Sequence, residues 1–276
     1  MVFNSIFVMK YIRKMKFSII TINYNNGKGL ERTILSVINQ SYKDYEFIVI
    51  DGNSTDDSKL ILEKYKNDIN YWVSEPDTGI YNAMNKGSRI AQGDYLNFLN
   101  SGDCFSNNHV LKSIADLQSD AAIITGCHKE NGLRNVGKNG ITFLDLYKWA
   151  VDHQASFIKR ELCMKYPYDE KYKIVSDWKF FIQALILDNC SFEFTEQVII
   201  DVESGGISET NFELDHRERD MVLKELFPER ILADYRRLAK ADSPLLELTP
   251  ELNQTTGIQK AVYRFARLLL KLRKMF

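Results

Sequence analysis

Three stretches of this chain carry side chains able to do chemistry. The first is Phe98-Leu99-Asn100-Ser101-Gly102-Asp103, where an apolar run of strand length hands one carboxylate to a loop. A carboxylate at the end of a buried strand is costly unless something occupies it, so Asp103 is a candidate for work with a metal ion or a phosphate. The second stretch, Ile80 to Gln92, reads as a helix with two unlike faces. Its apolar stripe is Ile80, Ala83, Met84 and Ala91, while Asn82, Asn85, Lys86 and Arg89 recur at i, i+3, i+4 and i+7 on another face. Lys86 on that face could bring positive charge toward a diphosphate, and a solvated surface accounts for the same stripe. Third, Ser176-Asp177 opens an apolar helix through Trp178, Phe180, Phe181, Ala184 and Leu185. A serine N-cap with an acid in the first turn explains the pair through capping and the helix dipole, and catalysis explains it equally well.

The elements that must position these residues follow from hydrophobic period. Phe17 to Ile22 is a β-rich run stopped by Asn23-Tyr24-Asn25-Asn26-Gly27, after which Leu30, Ile34, Val37 and Ile38 mark one face of a helix. Tyr45 to Ile50 is a second strand, ending at Asp51-Gly52-Asn53-Ser54-Thr55-Asp56. Strand, helix, strand of these lengths is a βαβ unit with a parallel pair. Ser54 and Asp57 are spaced to cap the helix through Leu60, Ile61 and Tyr65. Asn70 to Ser74 is a third strand, and Asp94 to Leu99 a buried one. Beyond it, a helix is expected at Val110–Leu117, strands at Ala121–Thr125, His153–Ile158 and Ser191–Ile200, and a loop from Gly126 to Gly140 that forms a boundary or a lid. The remainder reads as helical and charged.

Bulk composition narrows the function classes. With 276 residues the chain can bury a sizeable core, and 36 basic against 37 acidic residues leave a net charge of −1, so the molecule as a whole lacks a nucleic-acid binder's signature. Cys104, Cys127, Cys163 and Cys190 are scattered, which argues against a zinc site or a disulfide framework and fits a reducing cytoplasm. No apolar run is long enough to span a membrane. Residues 1–15 lack a small-residue cleavage site and read as a disordered leader, or as an upstream start before the methionines at 9 and 15. At the other end, Ile258, Val262, Phe265, Leu269, Leu272 and Phe276 share a face, with Lys260, Arg264, Arg267, Lys271, Arg273 and Lys274 as the charged residues. A basic amphipathic helix over 257–276 reads as a contact with a membrane surface, or as packing against the domain or a partner chain.

Five motifs then coincide in order and spacing. Ser18-Ile-Ile-Thr-Ile-Asn-Tyr-Asn25, Ser36-Val-Ile-Asn-Gln40, Phe47 to Asp56, Asp77-Thr-Gly-Ile-Tyr-Asn-Ala-Met-Asn-Lys-Gly87 and Phe98 to Asp103 together resemble the family 2 glycosyltransferases. His153-Gln154, Ser176-Asp177 and Gly205-Gly206-Ile207-Ser208 extend the likeness to about residue 210. The resemblance implies an α/β GT-A fold, with a Rossmann-like, mostly parallel sheet flanked by helices. On this reading 16–104 is the nucleotide-sugar half, 105–210 the acceptor half, and 211–276 a helical C-terminal region.

The resemblance also implies inverting transfer from a nucleotide-sugar donor, UDP-linked in the first instance, onto a saccharide or lipid-linked acceptor. The setting is polysaccharide or cell-surface glycan synthesis at the inner face of the cell membrane, usually with Mn²⁺ or Mg²⁺. It assigns Asp103 to the metal and Asp177 to the general base. Thr21, Asn23, Tyr24, Asn25, Asp51, Asn53, Asp77, Asn82, Lys86, Asn100 and Ser101 fall on the donor side, and His153, Gln154 and Trp178 on the acceptor side. Two departures stand out. Asn100 and Gly102 occupy positions where the family's metal motif has aspartates, as in a subgroup with Asn-Ser-Gly-Asp, and Asn82 stands where similar sequences carry Asp. A sugar nucleotidyltransferase is the alternative enzyme, but it wants a Gly-rich, basic loop after the first strand, and Asn23 to Gly27 holds one glycine and no arginine. The thinned metal motif also suits a catalytically weak nucleotide-sugar-binding module.

Overall fold

The computed structural model describes residues 16–203 and 211–240, together with 257, 260–262, 264 and 265. Strand β1 (Phe17–Asn23) is buried along its whole length and lies between β2 (Tyr45–Asp51) and β4 (Tyr95–Phe98), parallel to both. The register pairs Ile20 with Ile48 on one side and with Phe98 on the other. A continuous apolar run such as Phe17 to Ile22 suits a strand covered on both faces, with each large side chain contributing roughly 1.5–3 kcal/mol on burial. β3 (Tyr71–Ser74) adds in parallel to β2. Helix α1 (Gly27–Ile38) buries Leu30, Thr33, Ile34 and Val37, a 3.6-residue stripe, and is capped by the Asn26 side chain. α2 (Ser58–Lys64) and α3 (Ile80–Ile90) complete this half.

The second half of the sheet is mixed. Running on from β4 the order is β8 (Ser156–Lys159), β6 (Ile123–Glu130), β9 (Phe192–Val202) and β5 (Cys104–Phe105), with β4–β8, β8–β6 and β9–β5 antiparallel and β6–β9 parallel. Its helices are α4 (Val110–Asp116), α5 (Phe143–Lys148), α6 (Arg160–Lys165) and α7 (Ser176–Phe181), the last running into a π-helical turn, Ile182–Leu187. The pairing of Cys104 with Asp201 matters most for the site, because it returns the far end of β9 to the loop that follows β4.

The first compact unit runs to Glu225 and takes in nearly all of helix α8 (Phe212–Leu226). The second, from Leu226 onward, contains α9 (Glu229–Lys240). Among the described residues no helix is long and apolar enough to cross a membrane. The expected leader at 1–15 and the Gly205 to Ser208 motif lie outside the described residues, as does most of the expected basic helix over 257–276.

Several local expectations are corrected. The Gly126–Gly140 stretch is not all loop, since β6 continues to Glu130 and turns through Asn131 and Gly132, both at positive φ, into β7 (Leu133–Arg134). Asn-Gly is the pair that a tight hairpin requires. Ser54 does not cap α2; its hydroxyl bonds Asp51, and Asp56 meets the Ser58 amide instead. Ser176 is the first helical residue rather than the cap, and its hydroxyl accepts from the Asp169 amide. The expected strand at His153 begins only at Ser156, so His153 and Gln154 lie in the approach to β8.

Candidate active site

A cleft of about 740 Å³ opens where the parallel strands end. Ile22 and Asn23 line it from the end of β1, Gly52 and Asn53 from beyond β2, Asp77 from beyond β3, and Asn100 and Ser101 from beyond β4. This crevice outside the carboxyl ends of parallel strands is where open α/β sheets bind ligands. Its wall is held by Asp51, which is fully buried and accepts from the Asn23 amide at 2.7 Å, the Ser54 backbone and hydroxyl, and the Ser74 hydroxyl. Gly52 lets the wall close, because a Cβ there would lie 2.6 Å from the Asp77 carboxylate and 3.2 Å from the Tyr24 ring. Tyr24 itself stands 68% exposed at the cleft edge, an open aromatic face.

The loop after β4 forms the cleft's other edge. Gly102 sits at φ 108°, and its amide donates to the Thr33 hydroxyl, which itself donates to the Asp103 carbonyl. Arg32 donates to the Gly102 carbonyl at 2.6 Å and pairs with Glu203 at 3.1 Å. Asp103 is 5% exposed and accepts from the Glu203 amide at 2.9 Å. Burial raises its pKa to about 6 against that amide and the nearby His153 and Arg32 charges. Asn100 Oδ1 is buried without a hydrogen-bond partner.

The second half contributes a different arrangement. Asp177, in the first turn of α7, takes His153 Nδ1 at 2.9 Å on one carboxylate oxygen and the Tyr81 hydroxyl at 2.8 Å on the other. Burial works to raise its pKa, yet His153, Tyr81 and the Trp178 amide hold it below the usual carboxylate value. Burial likewise opposes the charge on His153, and Asp177 with help from Asp103 and Asp152 raises it nonetheless. Each partner thus favours the charged form of the other, carboxylate with imidazolium. A carboxylate kept anionic and partly open to solvent can accept a proton.

The model of glycosyl transferase family 2 matches residues 18–159, just over half of the chain. The chain belongs to that family. It is 35% identical over 221 residues to an uncharacterized glycosyltransferase of Mycobacterium tuberculosis, covering 76% of this chain and 80% of that one. It is 29% identical over 210 residues to the PGL/p-HBAD biosynthesis glycosyltransferase of Mycobacterium bovis, over 70% and 79% of the two chains. The structure of Staphylococcus aureus TarS 1-349 in complex with UDP-GlcNAc superposes with a TM-score of 0.63 at 20% identity, over 88% of this chain and 76% of TarS 1-349. In another crystal structure of the same TarS fragment the match spans 63% of its length. Mannosyltransferase PcManGT from Pyrobaculum calidifontis, in complex with GDP-Man and Mn²⁺, gives a TM-score of 0.57 at 15% identity over 93% and 86%. These likenesses establish the GT-A fold of this family 2 glycosyltransferase.

The expected site residues distribute unevenly over the glycosyltransferase. Asn23, Tyr24, Asn53, Asp77, Asn100 and Ser101 line the cleft. Asn25 lies just behind it at φ 51°, its side chain accepting from the Thr55 amide. Thr21 is fully buried with an unpartnered hydroxyl, and Asp51 is turned inward onto its four donors, so both shape the wall from behind. Asn82 and Lys86 point elsewhere: the Asn82 amide bonds Glu170 at 2.8 Å, and Lys86 pairs with Glu75 at 2.7 Å and the Pro76 carbonyl at 3.0 Å. Asn85, from the same stripe, is buried and bridges Tyr168 and Glu170. Trp178 is 2% exposed with its indole N–H on the Leu146 carbonyl, so it packs into the interior. The Gln154 carbonyl accepts from Asn97.

Among the described residues no group of three or more His, Cys, Asp or Glu side chains converges as a metal cage. The loop does offer a buried carboxylate at Asp103 and an unpartnered amide oxygen at Asn100, both hard donors suited to Mg²⁺ or Mn²⁺ when substrate phosphate and water complete the shell. Tyr81, Arg32, Thr33 and Glu203 are the functional neighbours that reading the sequence missed. Tyr81 sits inside one of the five motifs, one residue from Asn82, where polarity drew attention to the neighbouring side chain.

Proposed function

We propose that this enzyme is an inverting glycosyltransferase that moves a sugar from a nucleotide donor, UDP-linked by preference, onto a saccharide or lipid-linked acceptor in glycan assembly. The carrying observation is Asp177, a largely buried carboxylate held as an anion by His153 and Tyr81 and supplied by the half of the fold that does not form the donor cleft. Single-displacement inversion needs such a base on the face of the sugar opposite the leaving group. The acceptor oxygen bonds to the anomeric carbon, the bond to the diphosphate oxygen breaks, and the acceptor's proton passes to the Asp177 carboxylate. The cleft holds the nucleoside between the Tyr24 ring and the Asp77 side of the wall. Asn100 and Asp103 would hold the divalent cation, which when bound neutralises charge on the diphosphate. Arg32 adds positive charge behind that loop through the Gly102 carbonyl.

UDP as the donor nucleotide draws support from the TarS complex with UDP-GlcNAc. A glycan-building setting draws support from the PGL/p-HBAD biosynthesis relative. The basic amphipathic pattern over 257–276 supports peripheral contact with an anionic membrane, and with it a site of action at the cytoplasmic face. The test is a panel of UDP- and GDP-sugars incubated with Mn²⁺, with mass spectrometry of the products for wild type and Asp177→Asn. Wild type should release nucleoside diphosphate and transfer sugar, while the variant binds donor with unchanged affinity and transfers about 10²–10⁴-fold more slowly. Transfer by Asp177→Asn at the wild-type rate would remove Asp177 from the base role.

A further inference from the structure

Helix α8 begins more than 50 residues beyond the stretch that the family model matches, and it reaches back to the loop that precedes Asp177. Its Glu218 is 5% exposed, and its carboxylate accepts from the Lys173 amide at 3.0 and 3.1 Å and from the Ile174 amide at 3.0 Å. Ile174, its amide so fixed, presents its carbonyl in the following peptide to the Tyr81 hydroxyl at 2.5 Å. That same hydroxyl lies 2.8 Å from Asp177 Oδ1. One O–H proton thus faces two acceptors, the Ile174 carbonyl and the Asp177 carboxylate, and where the carbonyl stands decides how firmly the hydroxyl serves the carboxylate.

We propose that Glu218 is a positioning residue for Asp177, acting through the Lys173–Ile174 backbone and the Tyr81 hydroxyl. The inference rests on reading Asp177 as the base. Two further ties from α8 brace the same loop. Glu225 pairs with Lys179 at 2.6 Å and Lys171 at 2.9 Å and accepts from the Tyr172 hydroxyl, and Arg219 lies 4.5 Å from the centre of the Trp178 ring, the residue after Asp177. Burial pushes against the Glu225 charge, but Lys179, Lys171 and Tyr172 hold its pKa at about 2, so this brace stays ionised across the working range. Glu218 is the tie that bears on Asp177 through hydrogen bonds, because the groups it grips are the backbone amides three and four residues ahead. Helix α8 is thereby part of the catalytic apparatus rather than an appendage. When Asp177 takes the acceptor's proton, the Tyr81 hydroxyl can turn fully to the Ile174 carbonyl, so the brace supplies a partner in both protonation states.

The test follows the His153 ring by NMR in the full chain, selectively labelled at its four histidines, with the His153 signal assigned by His153→Gln. The groups facing the pair are Asp177 and Tyr168 from the acceptor half, Tyr81 from α3, and Asp103 and Asp152 from the flanking loops. Glu218→Ala should move the His153 midpoint down toward an ordinary histidine. Transfer kcat should fall roughly 10- to 100-fold, the scale of a misplaced catalytic group, with Mn²⁺–UDP affinity by calorimetry within about twofold. Glu218→Gln keeps an acceptor oxygen for Ile174 and should restore both readouts. If the alanine variant does not fold, Glu218→Asp, which draws the oxygens back by one carbon, should give an intermediate shift. A folded Glu218→Ala or Glu218→Asp with the wild-type midpoint and kcat overturns the proposal. Should Asp177→Asn instead transfer sugar normally, the base reading fails, while the His153 midpoint still reports whether Glu218 orders the pair.

Discussion

The two halves of the fold make their sites in opposite ways. The cleft wall is built by residues close to the strand ends that present them, and its central acid, Asp51, is saturated by hydrogen-bond donors from Asn23, Ser54 and Ser74. The second cluster draws Tyr81, His153 and Asp177 together across separations of 96 residues and 24 residues, and leaves a carboxylate whose bonds hold it charged without enclosing it. One half is a rigid receptacle, and the other keeps an anion available. Asp51 and Asp177 are aspartates of the same chain, yet the first is fully buried on four donors and the second keeps 18% of its side chain open to solvent. The number of donors each faces and the residual opening around it separate the roles.

Substituting the two aspartates tests that contrast directly. Asp177→Asn should cost about 10²–10⁴-fold in transfer, the range for loss of a general base, with little change in donor affinity and a melting temperature lowered only where the ion pair with His153 is formed. Asp51→Ala should do the reverse in kind. Stripping the partner from the Ser54 amide and the Asn23 and Ser74 side chains in a dry wall should cost roughly 3–5 kcal/mol of stability, lowering the melting temperature by about 10 °C. Calorimetric melting of the two variants, alongside Mn²⁺–UDP titration, decides the matter. A stable Asp51→Ala protein that merely fails to bind UDP would mean that Asp51 touches the donor after all, and the contrast would collapse.

How much of this was readable beforehand follows the same division. The parallel half was legible because each strand carries its own stop signal, as with Asn23 to Gly27 after β1 and Asp51 to Asp56 after β2, and because βαβ order leaves few arrangements. Asp177 was legible as an acid opening a helix, and the family likeness gave it a role. The inward turn of Asp51 was not, since a lone Asp-Gly pair says nothing about Asn23 and Ser74, brought in from β1 and β3 to join Ser54 of the same turn. Nor was the engagement of Asn82 and Lys86, because Glu170 and Glu75 reach them across the fold or from a turn. Glu218 is one of several acids in a helix of 15 residues, and only the packing singles it out. The hairpin at Asn131-Gly132 is a different case: its signal was present in the sequence and was masked by the polar composition around it.

The coupling between Asp177 and His153 sharpens the contrast through pH. Asp177's pKa is depressed in the fold, so its stabilising contribution is present above its unfolded value and is lost as pH falls through the lowered folded value. His153's is raised, so its contribution is complete below its unfolded value and is lost as pH rises through the folded one. The ion pair therefore supports the fold between the two folded pKa values. His153→Gln keeps a donor near Asp177 but removes the charge, and Asp177 should then protonate at higher pH. The acid limb of kcat, measured at saturating donor and Mn²⁺, should move upward. At pH values below the limb, the rate should fall about tenfold for every pH unit the limb moves. Asp103 and Asp152, which also act on His153, are unchanged in the variant, so the difference between the two profiles isolates the pair. An acid limb that stays in place would mean that His153 orients Asp177 without tuning it.

The smallest expected effect belongs to Gly102, which joins the two halves. At φ 108° any side chain is strained, and a Cβ there would lie 2.0 Å from the Glu203 carboxylate. Glu203 can swing aside, because its carboxylate is partly exposed and held by Arg32, but the backbone strain persists at roughly 1–3 kcal/mol. Gly102→Ala should therefore lower stability by that amount and disturb the Asp103 loop through its Thr33 bonds, weakening Mn²⁺-dependent UDP binding while leaving the His153 midpoint where it is. The pairing of β5 with β9 makes the loop, and not the dyad, absorb the change. If the His153 midpoint moved with the loop, the receptacle and the base would be one cooperative unit and their separation into a rigid half and an available anion would be wrong.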